Sequence, residues 1–351
     1  MAIGLYCEDC GVEAASLAWR CGACDGVLMV RGLPPFDPAA INPQDWGLWR
    51  YAALLGVEKR YSLGEGGTAL VPVQVEGVRF QAKLESQNPT GSFKDRGISV
   101  LLNYLAAQGV ETVIEDSSGN AGAAVAAYAA AGGMAARIFV PASAPEGKKR
   151  LIRHFGAVTM TEACIVAAQK YVYASHAWNP IFLLGQMTGA WELWEQCGRV
   201  APDAVVCPVG QGGLFLGWYQ GFLRLYEAGL IDKLPRFYAT QSASCDPIVR
   251  AWESGALVAE PVAQGATVAD GIVISQPVRS RAILAALRQS GGAAWRVEDA
   301  AIVRAHQQLA RQGLIVEPTS AVPVAALMQQ GALGGIVVVP FTGNGLKTLT
   351  L

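Results

Sequence analysis

Five short apolar, β-branched runs recur along the chain, at 112–115, 137–140, 204–207, 237–239 and 336–339, separated by helix-length stretches. Runs of this kind, bounded by Gly or Pro, read as fully buried parallel strands, and the intervening lengths suit right-handed βαβ crossovers. The reading is therefore α/β with parallel sheets. Ligands of such sheets gather beyond the carboxyl ends of the strands. The polar and glycine-rich motifs stand there: Ser117, Ser118, Gly119 and Asn120 after one strand, Gly210 to Leu214 after another, and Thr342 to Gly345 after the last. In the second, Gly210, Gln211, Gly212, Gly213 and Leu214 lead from a strand into a helix. Backbone N–H groups there can converge on an anion because Gly removes the Cβ, and the helix end adds a favourable dipole. The loop lacks the Lys-Ser/Thr ending of a nucleotide P-loop and is not G-x-G-x-x-G, so a single phosphate suits it better than a nucleotide. A plain tight turn is the bland alternative. Asn120 stands where an N-cap for the Ala-rich helix 121–131 is expected.

Of the 351 residues 52% are apolar and 16% charged, with a formal charge of −1. That composition excludes disorder and offers no general attraction to nucleic acid or anionic membranes, so a small-molecule partner is expected. The longest Ala/Gly-rich run, 121–133, is too short and too weakly apolar to span a bilayer, and no signal-peptide pattern opens the chain. A cytoplasmic location is the expectation. Cys7, Cys10, Cys21 and Cys24 form two C-x2-C pairs separated by ten residues. Two such knuckles complete a closed tetrahedral Zn2+ site of the structural type, which would fold residues 1–30 and leave no open coordination position. A vestigial ribbon or two disulfides are the alternatives, the latter disfavoured without a secretory signal. Cys164, Cys197, Cys207 and Cys245 read as small core residues. Residues 31–63, with four prolines between 31 and 45, read as a linker wrapping a surface, and 64–351 as a two-lobed catalytic body.

The run from Lys83 to Gly97 sets one lysine, Lys94, beside a Ser/Thr/Gly-rich turn. A lysine whose amine loses its proton easily is a candidate to condense with the aldehyde of pyridoxal 5'-phosphate (PLP). The run resembles the PLP-lysine signature of the threonine synthase family, within the fold type II (tryptophan synthase β-like) PLP enzymes. Gly64 to Thr68, Gly185 to Thr188, Thr267 to Gly271 and Glu317 to Ala321 extend the likeness over nearly all of residues 60–350. The resemblance implies a small lobe of roughly 98–180 inserted in a large one and a homodimer. It also implies that Lys94 carries the cofactor and moves protons at Cα and beyond, that Asn120 donates to the PLP phenolic oxygen, and that 210–214 hold the phosphate. Thr342 is implied as the hydroxyl partner of the pyridine nitrogen, a neutral group that does not enforce a pyridinium. Ser117, Ser118, Asn120 and Ala121 are implied at the substrate carboxylate.

Threonine synthases convert O-phosphohomoserine and water to threonine and phosphate, which needs a second anion pocket. In this chain Ala121 stands where the family has a hydroxyl residue, and Gln211 where it has Asn. His176, Ala177 and Phe182 flank Asn179-Pro180 where the family has an Asn-Ser pair and an Arg. Losing such an arginine removes a contact of about 1.5 to 3 kcal/mol. His176, or Lys148, Lys149, Arg150 and Arg153, are the candidates to replace it, and Trp178 and Phe182 suggest either a drier aromatic pocket or core packing. Two enzymatic readings stand side by side. One is a threonine-synthase-type lyase, and the other a paralogue acting on another amino acid as a dehydratase, ammonia lyase or replacement synthase. Retention of Lys94, Asn120 and Thr342 argues against a third, a non-catalytic binding protein.

Overall fold

The computed structural model describes residues 3–141, 146–160 and 164–347. The strands are, in chain order, β1 (Gly4–Cys7), β2 (Glu13–Ala14), β3 (Leu28–Arg31), β4 (Leu70–Val75), β5 (Val78–Lys83), β6 (Thr112–Glu115), β7 (Ala135–Phe139), β8 (Val158–Met160), β9 (Val172–Tyr173), β10 (Ala204–Pro208), β11 (Arg236–Ser242), β12 (Ala293–Val297) and β13 (Val337–Pro340). All five runs expected as strands are strands, 112–115 with the expected bounds and the other four with ends moved by up to three residues. The chain divides into two compact units.

The first unit comprises residues up to Gly67, Asn88–Thr90 and Lys94–Thr188. Its main sheet is wholly parallel, in the order β8-β7-β6-β9. Helices Lys94–Ala107 and Asn120–Ala131 belong to it, the latter so rich in Ala that its buried residues run from Ala121 to Ala129 without a polar side. A small antiparallel sheet, β2-β1-β3, carries the four cysteines. This element is tied to the unit through Trp19, which meets Tyr173 and Trp178 edge-on at 5.2 and 5.5 Å between ring centres, and through the Tyr104 hydroxyl, which donates to the Ser16 carbonyl. Within the expected linker, Leu48, Trp49, Tyr51, Leu54 and Leu55 are buried, so this stretch supplies core as well as connection. Trp49 donates its indole N–H at 2.6 Å to Glu65, a fully buried carboxylate that also accepts from Ser99, Tyr128, Ser62 and the Leu63 N–H. Five donors on one carboxylate offset the cost of burying its charge.

The second unit comprises Thr68–Gln87, Gly91–Phe93 and the chain from Gly189 onward. Its sheet runs β12-β11-β10-β13-β5-β4, parallel throughout except for the β4-β5 hairpin. Central strands β10 and β13 are buried at every position, which is why they read as uninterrupted apolar runs. Lys83, at the end of β5, is fully buried and donates to the Thr68 carbonyl, Glu192 and Gln196. Among the described residues no helix is long and apolar enough to cross a membrane.

Candidate active site

Lys94 opens its helix, and the turn before it is locked by the residue after it. Asp95, fully buried, accepts from the Thr90 backbone N–H at 2.6 Å and from the Thr90 hydroxyl. A Cβ at Gly97 would lie 2.3 Å from the Phe182 ring, so the helix rests directly on that ring. Phe182 is fully buried, and the Lys94 Nζ lies 5.5 Å from its centre. Desolvation brings the Lys94 ammonium down to about 8, against the opposing pull of the Glu115 carboxylate. An amine tuned this way gives up its proton near neutral pH.

Glu115 ends β6 and is fully buried; burial raises its carboxyl to about 8, with the Lys94 charge acting in the other direction. His176 meets it: the ring Nδ1 lies 2.7 Å from Oε1, and the His176 backbone N–H donates to Oε2 at 3.3 Å. Burial, with the Lys94 charge adding to it, lowers the imidazole to about 3, so the ring is neutral. Its centre lies 6.2 Å from that of Phe182. The structure thus brings together Lys94, His176 and Phe182 and adds Glu115, which the sequence reading overlooked. Its signal was available, since an acidic residue at the inner end of an otherwise buried strand requires a partner.

The loop 117–119 follows at the same strand end and leads into helix Asn120–Ala131. Ser117 Oγ accepts from the Gly119 N–H at 3.2 Å, and a Cβ at Gly122 would lie 1.9 Å from the Ser117 carbonyl. Gly119, not Asn120, is the N-cap; Asn120 is the first helical residue, and no side chain caps this end. Ser117, Ser118 and Asn120 are half-buried, and Ala121 is buried beneath them. Trp178 packs on Trp19, Ala177 is buried, and Arg150 and Arg153 are exposed, Arg153 donating to Thr159. Lys149 is half-buried; the Lys148 side chain lies outside the described residues.

In the second unit, Gly212 adopts φ +82° and caps helix Gly213–Glu227, again with no side chain bonded to the helix end. A Cβ at Gly212 would lie 2.4 Å from Ile283, so both conformation and space require glycine. Gln211 is turned to another task, accepting the Val278 N–H at 3.2 Å. Beyond β13, the buried Thr342 hydroxyl lies 3.0 Å from Ser320 Oγ, which also accepts the Thr342 N–H at 2.9 Å.

A family model described as pyridoxal-phosphate dependent enzyme matches residues 61–343. The chain belongs to this PLP-dependent enzyme family. It is 34% identical to the threonine synthase of Methanosarcina acetivorans, over 98% of this chain and 92% of the relative, and 33% identical to that of Mycobacterium tuberculosis, over 82% and 83%. Among solved structures, the threonine deaminase of T.th. superposes with a TM-score of 0.67 at 27% identity, over 79% of this chain and 92% of that one. Maize serine racemase superposes with a TM-score of 0.68 at 24% identity, over 79% and 88%, a likeness of fold. The PLP enzyme is thus an α/β protein of fold type II.

The residues of this PLP enzyme fit the cofactor. It has a desolvated lysine and a glycine-lined helix end that no side chain caps. Ser92, two residues before Lys94, is fully buried with a hydroxyl that has no hydrogen-bond partner among the described residues. Such an orphan costs about 1–3 kcal/mol unless a ligand satisfies it. In the N-terminal element the four cysteine sulfurs lie within 4.8 Å of one another, with neighbours at 3.5 to 3.6 Å. Four sulfurs about 2.3 Å from one Zn2+ stand roughly 3.8 Å apart, whereas a disulfide requires about 2.05 Å. A Cβ at Gly26 would lie 3.0 and 3.1 Å from the Cys7 and Cys24 sulfurs, so the knuckle closes on a glycine. Of the other cysteines, Cys164, Cys207 and Cys245 are buried and Cys197 is half-buried.

Proposed function

We propose that the enzyme catalyses elimination or replacement at Cβ or Cγ of an amino acid, with Lys94 as the cofactor-bearing and proton-transferring residue. The observation that carries this is the Lys94 amine, enclosed on the Phe182 ring and lowered toward neutrality. PLP supplies an electron sink for the pair left when the Cα proton departs. Gly210, Gln211, Gly212, Gly213 and Leu214 would take its phosphate at the end of helix Gly213–Glu227, Asn120 its phenolic oxygen, and Thr342, oriented by Ser320, its ring nitrogen. Ser117, Ser118, Asn120 and Ala121 would take the substrate carboxylate, since the backbone N–H groups of a helix N-terminus suit an anion. Cys7, Cys10, Cys21 and Cys24 would hold a structural Zn2+. A homodimer in the cytoplasm completes the reading.

The threonine synthase relatives make O-phosphohomoserine the first substrate to try. A second reading, an amino acid with an uncharged leaving group, is favoured by a specific observation: the groups that act on Lys94 from strand β6 and beyond β9 are a carboxyl raised to about 8 and the neutral imidazole it holds, and Phe182 occupies the core. Neither supplies the charge a phosphate dianion needs. The test is a panel of O-phosphohomoserine, O-phosphoserine, homoserine, serine, threonine and O-acetylated analogues on PLP-loaded protein, with phosphate and products followed. Phosphate release with stoichiometric threonine establishes the first reading, and turnover of another amino acid alone establishes the second. No turnover, with no cofactor absorbance lost in Lys94→Ala, rejects the enzymatic reading.

A further inference from the structure

We propose that Glu115 and His176 form a buried proton-delivery couple in which His176 Nε2 protonates the departing group, making the enzyme one for amino acids with a hydroxyl leaving group. This inference rests on the reading that Lys94 carries the cofactor and takes the Cα proton. Three observations support it. His176 Nδ1 is engaged by Glu115 at 2.7 Å, which fixes the ring. Nε2 has no partner among the described residues, yet the side chain is only 16% exposed. The ring and the lysine both neighbour Phe182, the imidazole centre 6.2 Å and Lys94 Nζ 5.5 Å from the centre of that ring, and the Lys94 charge is felt at the imidazole.

The two carboxyl oxygens have distinct duties. Oε2 accepts the His176 backbone N–H and Oε1 faces Nδ1; in the proposed couple the raised Glu115 carboxyl bears its proton on Oε1 and donates it to Nδ1, and the other ring nitrogen is then an N–H. Lys94 faces the couple from helix Lys94–Ala107, Asp116 and Tyr173 face it from the adjoining strand ends, and Cys164 from helix Cys164–Ala167. Asp116, raised to about 6 by desolvation and then by the Glu115 charge, also hydrogen-bonds the Glu115 side chain.

In the step itself, the Lys94 amine takes the Cα proton and the freed pair forms the Cα–Cβ double bond. The Cβ–O bond breaks with its pair on oxygen, which takes the Nε2 proton and leaves as water. His176 recovers a proton at Nδ1 from Glu115 and ends neutral, with its tautomer exchanged. The lysine is then an ammonium, Glu115 a carboxylate and His176 the Nδ1–H tautomer; one proton passed from the ammonium to Nε2, with the Nδ1 proton returning to Glu115, restores all three. A phosphate leaving group, already a good one, needs no such donor.

The test uses the PLP-loaded full chain with serine and threonine, and three readouts. His176→Asn keeps an amide at the Nδ1 position but nothing at Nε2, and Glu115→Gln keeps the hydrogen bond but cannot release a proton. Both variants are expected to lower kcat for elimination by about 10² to 10⁴ while solvent deuterium still enters at Cα, because that exchange needs only Lys94. In 15N-imidazole NMR, with only His154, His176 and His306 to assign, His176 is expected to stay neutral down to about pH 5 and to change tautomer population in Glu115→Gln. An unchanged kcat in His176→Asn, a parallel loss of Cα exchange, or an imidazole that titrates near 6.5 regardless of Glu115 overturns the couple. So does phosphate-ester turnover in which His176→Asn raises only KM. Wild-type protein that exchanges no Cα proton would instead sink the Lys94 reading, and the NMR result would still decide the couple.

Discussion

Lys94 and Glu115 shift each other, and the consequences can be measured without turnover. Attachment of PLP needs the uncharged amine, so the rate of cofactor uptake by the stripped protein, followed by absorbance, should fall as pH drops through about 8. Glu115→Gln removes the carboxylate that favours the ammonium, and the midpoint should move to lower pH. Stability has the opposite dependence on the carboxyl. Its folded-state value is raised from 4.5 to about 8, so its contribution is complete below 4.5 and is lost as pH rises through 8. The Tm of Glu115→Gln relative to the parent should therefore climb between pH 4.5 and 8 and then level off. A flat difference would mean that Glu115 is ionised in the folded protein.

At the scale of an element, the turn into helix Gly213–Glu227 depends on one residue. Gly212→Ala faces both a left-handed φ of +82° and a Cβ 2.4 Å from Ile283, a combination that costs about 1–3 kcal/mol. Because the same turn is proposed to hold the cofactor phosphate, PLP affinity measured by titration should fall along with the Tm. An unchanged affinity with a lowered Tm would remove the loop from the cofactor site. Gly97→Ala tests the other support: its Cβ would drive into Phe182, and the Lys94 amine should lose its depressed pKa in the uptake experiment, since the ring that encloses it must move.

For the molecule as a whole, the proposed zinc-holding N-terminal element would be an attachment rather than part of the chemistry. Cys7→Ser should release about one zinc per chain by metal analysis and lower the Tm, with the PLP absorbance retained. Trp19→Ala severs two edge-on aromatic contacts, worth roughly 0.5–1.5 kcal/mol each, and should lower the Tm while leaving zinc content intact. If Cys7→Ser also abolished PLP binding, the element would have to be assigned to the cofactor site.

Much of this architecture was legible because it is local. Strands β10 and β13 read as apolar runs since both their faces are covered; glycine at 212 declares a turn no other residue makes comfortably; and two C-x2-C knuckles announce themselves by spacing. Lys94 stood out because its run resembles a family signature, and its place in the chemistry is a proposal. The couple beside it did not stand out, because Glu115 and His176 are 61 residues apart in sequence. They meet because β6 and β9 pair in parallel, Ile114 opposite Tyr173, which brings both strand ends to the same edge of the sheet. Asn120 illustrates a smaller shift: its residue type suits a cap, but the close approach of Gly122 to the Ser117 carbonyl starts the helix one residue earlier. The sequence by itself determined the strands and the turns, whose physics acts between neighbours. Only the tertiary structure decided which buried charges face one another and what protons they hold, because that depends on pairing register and desolvation.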